Sequence, residues 1–344
     1  MALIVMADDG LEFDGTTPDR QPLGGAESAF LSLAEACAAR GHRVRVCNNC
    51  AAPVSRKGVE WTRIADGVPE VCDLYIGNRG HRLIGLAPKA RRRVFWIHNP
   101  GGYLLKLRYL WPLLWHRPII VTTGAYHAST VPGWVPSGGR TVIPYGLGAD
   151  YRGASVRDGV PAPLAIFTSN PMRGLDWLLD LWCRRIHPAV PGAELHVYAG
   201  PQVYGAVGAR KAEPMSAVLT RASALGGQGV RRHAPVPKAA LVEKLGAARV
   251  MLYRGDENET FCLAVAEAQA LGLPAVVTRL GSLPERVVDG VTGTVADGDD
   301  AFAAAAIALL TDDTLWRSRH EASIARQKGL SWDDVAQRFE ALIP

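Results

Sequence analysis

Two glutamates frame the segment Glu259-Thr-Phe-Cys-Leu-Ala-Val-Ala-Glu267, eight positions apart across an apolar run that Gly272 and Pro274 close. The pattern predicts a helix over Phe261–Leu271, with Glu259 in the loop before it and Glu267 about two turns in. At the amino end of such a helix the first backbone N–H groups have no intrahelical acceptor, and the peptide dipoles add positive potential. Together they make a ready site for phosphate. One carboxylate beside a phosphate site and a second along the same helix suit a sugar nucleotide. Glu267 can accept hydrogen bonds from ribose hydroxyls, the helix start can hold a diphosphate, and Glu259 can face the sugar. Spacing alone fits a plainer structure as well, an amphipathic helix with two solvated acids.

Other candidates sit where strands are expected to end. Gly24-Gly25-Ala-Glu27 follows a first strand and leads into a helix, and glycine there lets backbone N–H groups approach a phosphate closely. A plain turn is the alternative. The loop is not G-x-G-x-x-G, so a dinucleotide fingerprint is absent. Trp96-Ile-His98-Asn-Pro100 puts a histidine at a strand end, although a lone histidine is more often structural. Asp8-Asp9 is a poor metal motif, and no D-x-D stands out. Cys47 and Cys50 form one C-x-x-C with no second pair, which reads as two buried thiols near a strand end rather than a zinc or redox site.

The elements that must position these residues alternate. Strands are expected at Leu3–Ala7, Arg43–Cys47, Leu74–Gly77, Arg93–His98 and Ile119–Thr123, with a helix over Ser28–Arg40. A stretch rich in Gly, Pro and Asp, Pro144–Pro163, reads as a linker. A second series follows, with strands at Leu164–Thr168, Glu194–Ala199, Arg249–Tyr253 and Ala275–Thr278. Helices at Asp176–Arg185, Lys238–Leu245 and Phe261–Leu271 lie between them. Such alternation implies an α/β protein of two doubly wound parallel sheets, with ligand at the carboxyl ends of the strands. Ser331 to Leu342 has a capping serine and helical apolar spacing.

The 344 residues suffice for two domains, and 48% hydrophobic with 21% charged residues is an ordinary globular balance. A net charge of +5 is mild, and its basic residues are dispersed, which argues against nucleic acid as a partner. The amino terminus has no basic leader or cleavage site, and no apolar run reaches the roughly 18 residues of a bilayer span. A cytoplasmic protein is expected, with the inner face of a membrane as a further location. Residues 103–117 mix Tyr, Trp and Leu with Lys106, Arg108 and Arg117, which suits peripheral contact with a membrane or a buried helix with a charged edge. Pro112 is expected to kink or split any helix there.

The two-glutamate segment resembles the E-x7-E signature of retaining nucleotide-sugar glycosyltransferases with the GT-B fold, glycosyltransferase family 4. The resemblance extends to Val142-Ile-Pro-Tyr145-Gly, where asparagine is usual in place of Tyr145, and to Phe167-Thr-Ser-Asn-Pro-Met-Arg173-Gly174. In the latter, Arg173 matches a lysine, and a preceding arginine is missing near Thr168 and Ser169. Weaker matches are His233-Ala-Pro-Val236 and Gly281-Ser-Leu-Pro-Glu285 with Asp289-Gly-Val-Thr-Gly293. The resemblance implies two Rossmann-like domains facing across a cleft, 1–150 on the acceptor side and 160–330 for the donor, with a helix in 331–344 crossing back. It implies catalytic roles for His98 and Glu259, and contacts to the nucleotide sugar from Gly25, Arg173, Val236, Phe261, Cys262, Leu263 and Glu267. It implies a UDP- or GDP-linked donor, a carbohydrate or lipid-linked acceptor, and neither metal nor cofactor. Polysaccharide, lipopolysaccharide or other glycoconjugate assembly is the corresponding role. A sugar-nucleotide hydrolase or epimerase, or a non-catalytic binding protein, are the alternatives.

Overall fold

The computed structural model describes residues 1–200 and 212–344. The chain divides into two compact units, one of Met1–Gly146 with Leu330–Pro344, the other of Leu147–Gly329. Each unit is built on its own sheet.

In the first unit, eight strands form one sheet: β1 (Leu3–Asp8), β2 (Arg43–Asn48), β3 (Val54–Arg56), β4 (Val59–Arg63), β5 (Leu74–Asn78), β6 (Arg92–Trp96), β7 (Ile119–Thr122) and β8 (Gly139–Val142). Their order is 3-4-2-1-5-6-7-8, and all neighbours are parallel except β3 with β4. Ile4 to Ala7 of the central strand β1 are fully buried, as a continuous apolar run covered on both faces requires. Cys47 and Cys50 are buried, and burial raises both thiol pKa values.

Helix α1 (Gly25–Ala39) starts three residues before the expected Ser28, with Gly24 as its N-cap. Gly25 therefore stands in the first helical turn rather than in a loop. Helix α2 (Leu107–His116) contains Pro112 and runs on through it, so of the expected kink or split the split does not occur, and it ends at Arg117 in the left-handed conformation. The final helix, Trp332–Glu340, opens on a capping box. Asp334 N–H donates to the Ser331 hydroxyl at 3.0 Å, and Ser331 N–H donates to the Asp334 carboxylate at 2.7 Å. Arg40 at the end of α1 bridges Asp333 at 3.0 Å and Glu340 at 2.7 Å, fastening that helix to the first unit.

In the second unit, β9 (Leu164–Phe167), β10 (Glu194–Tyr198), β11 (Val230–His233), β12 (Val250–Tyr253), β13 (Ala275–Thr278) and β14 (Gly293–Ala296) pair in the order 11-10-9-12-13-14, all parallel. Helix α3 (Leu175–Leu181) passes into a π-turn over Trp182–Ile186, where one α-helix to Arg185 was expected. Helices α4 (Lys238–Ala247) and α5 (Leu263–Ala270) follow β11 and β12. The expected start of α5 at Phe261 moves to Leu263 because Cys262 adopts a left-handed conformation, φ 61°, and serves as N-cap. Among the described residues no helix is long and apolar enough to cross a membrane, and no group of three His, Cys, Asp or Glu could hold a metal ion.

Candidate active site

In the second unit the turn from β12 into α5 gathers most of the expected residues. Glu259 is buried before the helix, and its carboxylate accepts from the Tyr253 hydroxyl at 2.6 Å and from the Arg173 guanidinium. Arg173, which follows β9, also lies 3.8 Å from Asp256. Arg173 and Glu259 were expected to meet different parts of a ligand, and here they meet each other. The Glu259 carbonyl accepts from Ser282 N–H at 2.9 Å. That close approach depends on Gly281, whose φ is +56° and where a Cβ would lie 2.6 Å from the Glu259 oxygen.

Phe261 and Cys262 are buried, and Leu263 is half-buried at the first position of α5. Burial pushes the Cys262 thiol up to about 11, so it is no nucleophile at neutral pH. The side chain that sequence reasoning missed is Arg286. Its guanidinium lies 4.2 Å from the Phe261 ring centroid, within electrostatic reach of Cys262, and its buried Nε has no hydrogen-bond partner. The Arg286 pKa is lowered by burial, and Glu285 at 3.1 Å opposes that shift. Arg286 thus places a second guanidinium beside the start of α5. Near the position of the missing arginine, the Thr168 hydroxyl is buried without a partner, and Ser169 bonds the Tyr253 hydroxyl at 3.1 Å. No sequence signal marked Arg286, since it stands some 25 residues downstream and reaches the site through the fold.

Glu267 lies on α5, buried as an acid there can be only with a partner. The partner is Lys238, whose ammonium bonds the carboxylate and lies 5.7 Å from the Tyr151 ring centroid. Lys238 opens α4 two residues after the half-buried Val236, so the ion pair draws the Val236 loop toward Glu267. Phe261 and the N-cap Cys262 therefore lead into the helix that carries Leu263 and Glu267, while Arg173 meets Glu259 before the helix and Lys238, two residues after Val236, meets Glu267 on it.

In the first unit, His98 is buried just beyond β6. Its Nδ1 lies 2.5 Å from the Tyr145 hydroxyl and its Nε2 bonds the Asn78 side-chain oxygen. The Asn78 amide nitrogen donates to buried Asp8. Asn78 thus presents its oxygen to the imidazole, which makes Nε2 the protonated nitrogen and Nδ1 an acceptor from Tyr145. Arg79 joins the chain, 3.5 Å from Asp8 and 2.6 Å from Glu27 of α1. Burial, then Arg79 and His127, hold the His98 pKa well below 6.5, so the ring is neutral. Tyr145, which stands where the resemblance expects asparagine, thus fixes the imidazole together with Asn78. Gly25 is exposed in the first turn of α1, and a Cβ there would meet nothing within 4 Å. Among the described residues nothing requires glycine at that position.

Residues 163–312 match the family model of glycosyl transferases group 1. The curated relatives matched are D-inositol 3-phosphate glycosyltransferases. That of Thermobifida fusca is 39% identical over 109 residues, 31% of this chain and 25% of the relative. That of Corynebacterium diphtheriae is 37% identical over 110 residues, 31% of this chain and 26% of the relative. The chain thus spans about a quarter of the length of these relatives. Among solved structures, sucrose-phosphate synthase from Thermosynechococcus elongatus superposes with a TM-score of 0.74 at 17% identity, covering 99% of this chain and 98% of that one. Anabaena HepE in complex with UDP and glucose gives 0.70 at 16% identity over 99% of both chains. The chain has the GT-B fold, and residues 163–312 of its second unit are similar to the glycosyl transferases group 1 family.

Proposed function

We propose that this protein is a retaining glycosyltransferase that moves a sugar from a UDP- or GDP-linked donor to a hydroxyl of a carbohydrate or lipid-linked acceptor, in polysaccharide, lipopolysaccharide or other glycoconjugate assembly. One observation carries the reading. Arg173, Glu259 and the start of α5 converge in the second unit, with Glu267 two turns along the same helix beside Lys238. The HepE structure, solved with UDP and glucose, supports a nucleotide-sugar ligand for this fold.

In the reaction, the bond from the anomeric carbon to the diphosphate oxygen breaks and its electron pair leaves with the diphosphate. The sugar becomes oxocarbenium-like, the acceptor oxygen bonds the anomeric carbon on the face from which the diphosphate departs, and the acceptor proton passes to the departing diphosphate oxygen. Arg173, the first-turn amides around Phe261, Cys262 and Leu263, and the positive charge of Arg286 stabilise the leaving anion. Such preorganised groups contribute roughly 3 kcal/mol each in other enzymes. Donor binding exchanges partners: the diphosphate takes Arg173, and the Glu259 carboxylate is released to hold sugar hydroxyls. Glu267, with Lys238 behind it, fixes the ribose, and the Val236 backbone meets the base. In the first unit, the exposed Gly25 amide and the neutral His98 imidazole are the groups offered to substrate. No metal takes part.

The test is a panel of UDP- and GDP-sugars in EDTA, with nucleoside diphosphate release and the anomeric configuration of the product as readouts. Transfer with retention, undiminished by the chelator, is expected. An inverted product, or activity lost in EDTA and restored by Mg²⁺ or Mn²⁺, contradicts the reading. Release that needs no acceptor points to a hydrolase or epimerase. The absence of an arginine near Thr168 and Ser169 favours one further reading, a sugar-nucleotide-binding protein without turnover. Tight binding without release under every condition selects it.

A further inference from the structure

Helix α2 is apolar on two sides. Tyr109 and Leu113 point inward and pack with Phe95, Ile97 and Leu104 in the core of the first unit. Leu107, Trp111, Leu114 and Trp115 recur at helical spacing on the opposite side, and they are 74%, 65%, 50% and 80% exposed. A helix apolar all round belongs in a core or against a partner. This one has its core on one side only. Trp134, also exposed, lies in the loop whose Val131 and Val135 pack in the same cluster as α2.

The chemistry around this stripe says what covers it. From His81 to Ala149 the chain carries nine Lys and Arg residues and no Asp or Glu, while the rest of the chain is slightly acidic. Lys106 and Arg108 flank the start of the stripe and Arg117 its end, all exposed. Of the nine, Lys89 pairs with Glu70 and Arg91 with Asp73, and Asp9 acts on Tyr109 and lies against Gly80, whereas Arg82, Lys106, Arg108 and Arg117 have no acid in their own stretch of chain. Between the stripe and the turn after β5 is a shallow pocket of 390 Å³ lined by His81, Arg82, Trp111, Trp115 and His116. Burial and Arg93 lower the His116 pKa, so its ring is neutral, and Arg82 is the cation of the pocket. Indole rings at the rim of an apolar strip, set in a mainly cationic surround, match the interface of an anionic bilayer.

We propose that this face of the first unit docks on an anionic phospholipid surface, with Trp111 and Trp115 at the level of the headgroups and a lipid phosphate in the pocket beside Arg82. The stripe begins nine residues after His98, so a bilayer held there brings lipid-linked hydroxyl compounds to the unit that carries that histidine. Only this last consequence rests on the transferase reading; the docking does not.

The experiment is sedimentation of the full chain with vesicles of phosphatidylcholine alone or mixed with phosphatidylglycerol, which requires no turnover. Binding to the phosphatidylglycerol vesicles, abolished by high salt and absent with phosphatidylcholine alone, is expected. The Trp111→Ser/Trp115→Ser variant should bind at least tenfold more weakly, and Arg82→Glu/Arg108→Glu more weakly still, since each lost cation removes about a fivefold factor. Circular dichroism of these exposed-site variants should match that of the parent. Equal sedimentation with both vesicle types, or none with either, overturns the proposal. So does a concentration-dependent dimer that the tryptophan variant abolishes, because it assigns the face to a second copy of the chain.

Discussion

At the scale of single residues, Glu259 is paired with Arg173 and Glu267 with Lys238, so the two acids can be tested apart. Glu259→Ala should lower turnover by about 100-fold or more while nucleoside diphosphate affinity holds or rises, since Arg173 is then unpaired. Glu267→Ala should instead weaken the donor by roughly tenfold or more, the size of a lost charged hydrogen bond, and leave Lys238 without its partner. Titration calorimetry with the diphosphate, beside steady-state rates, separates the two outcomes. Arg286→Met should weaken UDP or GDP binding by about tenfold and leave the bare nucleoside unaffected; equal loss for both would mean that Arg286 only packs against Phe261. Tyr145→Phe removes the hydroxyl that donates to His98 Nδ1 and so destabilises the neutral ring. Its His98 pKa, followed by nuclear magnetic resonance, should rise toward 6.5 from its depressed position. An unchanged titration contradicts the assigned tautomer.

At the scale of elements, the start of α5 is set from outside the helix. Gly281 holds a left-handed conformation against the Glu259 carbonyl. Gly281→Ala should cost about 1–3 kcal/mol of stability, measurable by denaturant unfolding, and should weaken donor binding with it. The sequence carried the alternation of strands and helices because buried parallel strands are apolar runs, and the helices between them have helical spacing. It carried Glu259, Glu267 and Arg173 because their neighbours form a recognisable pattern. It did not carry β3, β4, β8, β11 or β14, which are short and partly polar, nor the Cys262 conformation that delays α5 by two residues. It could not show Lys238, Tyr253 or Arg286 as partners, because each meets the site only through tertiary contact. Tyr145 and Asn78 lie 47 and 20 residues from His98, and no local pattern ties them to it.

At the scale of the molecule, buried neutral histidines couple stability to pH. His127 is pushed down to about 4 by burial, donates to the Asn99 carbonyl at 2.9 Å and accepts from Thr123 N–H at 3.1 Å; His98 is also depressed. Both titrate near 6.5 once unfolded, so the unfolded chain binds more protons below that pH. Stability should therefore be flat above about 6.5 and fall as pH drops toward 4, with His127 accounting for up to roughly 3 kcal/mol. Thermal unfolding across that window, with His127→Gln reducing the slope, checks the assignment. The central claim is that the second unit binds a nucleotide diphosphate along α5, and the most direct measurement is the thermal shift of the whole chain with UDP, GDP and their sugars. A ligand at 100 times its dissociation constant should add about 2.7 kcal/mol. The account predicts a raised midpoint for one base in the wild-type chain and a shift of about half that size or less in Glu267→Ala at the same concentration. No shift with any nucleotide, or an equal shift in both proteins, would contradict it.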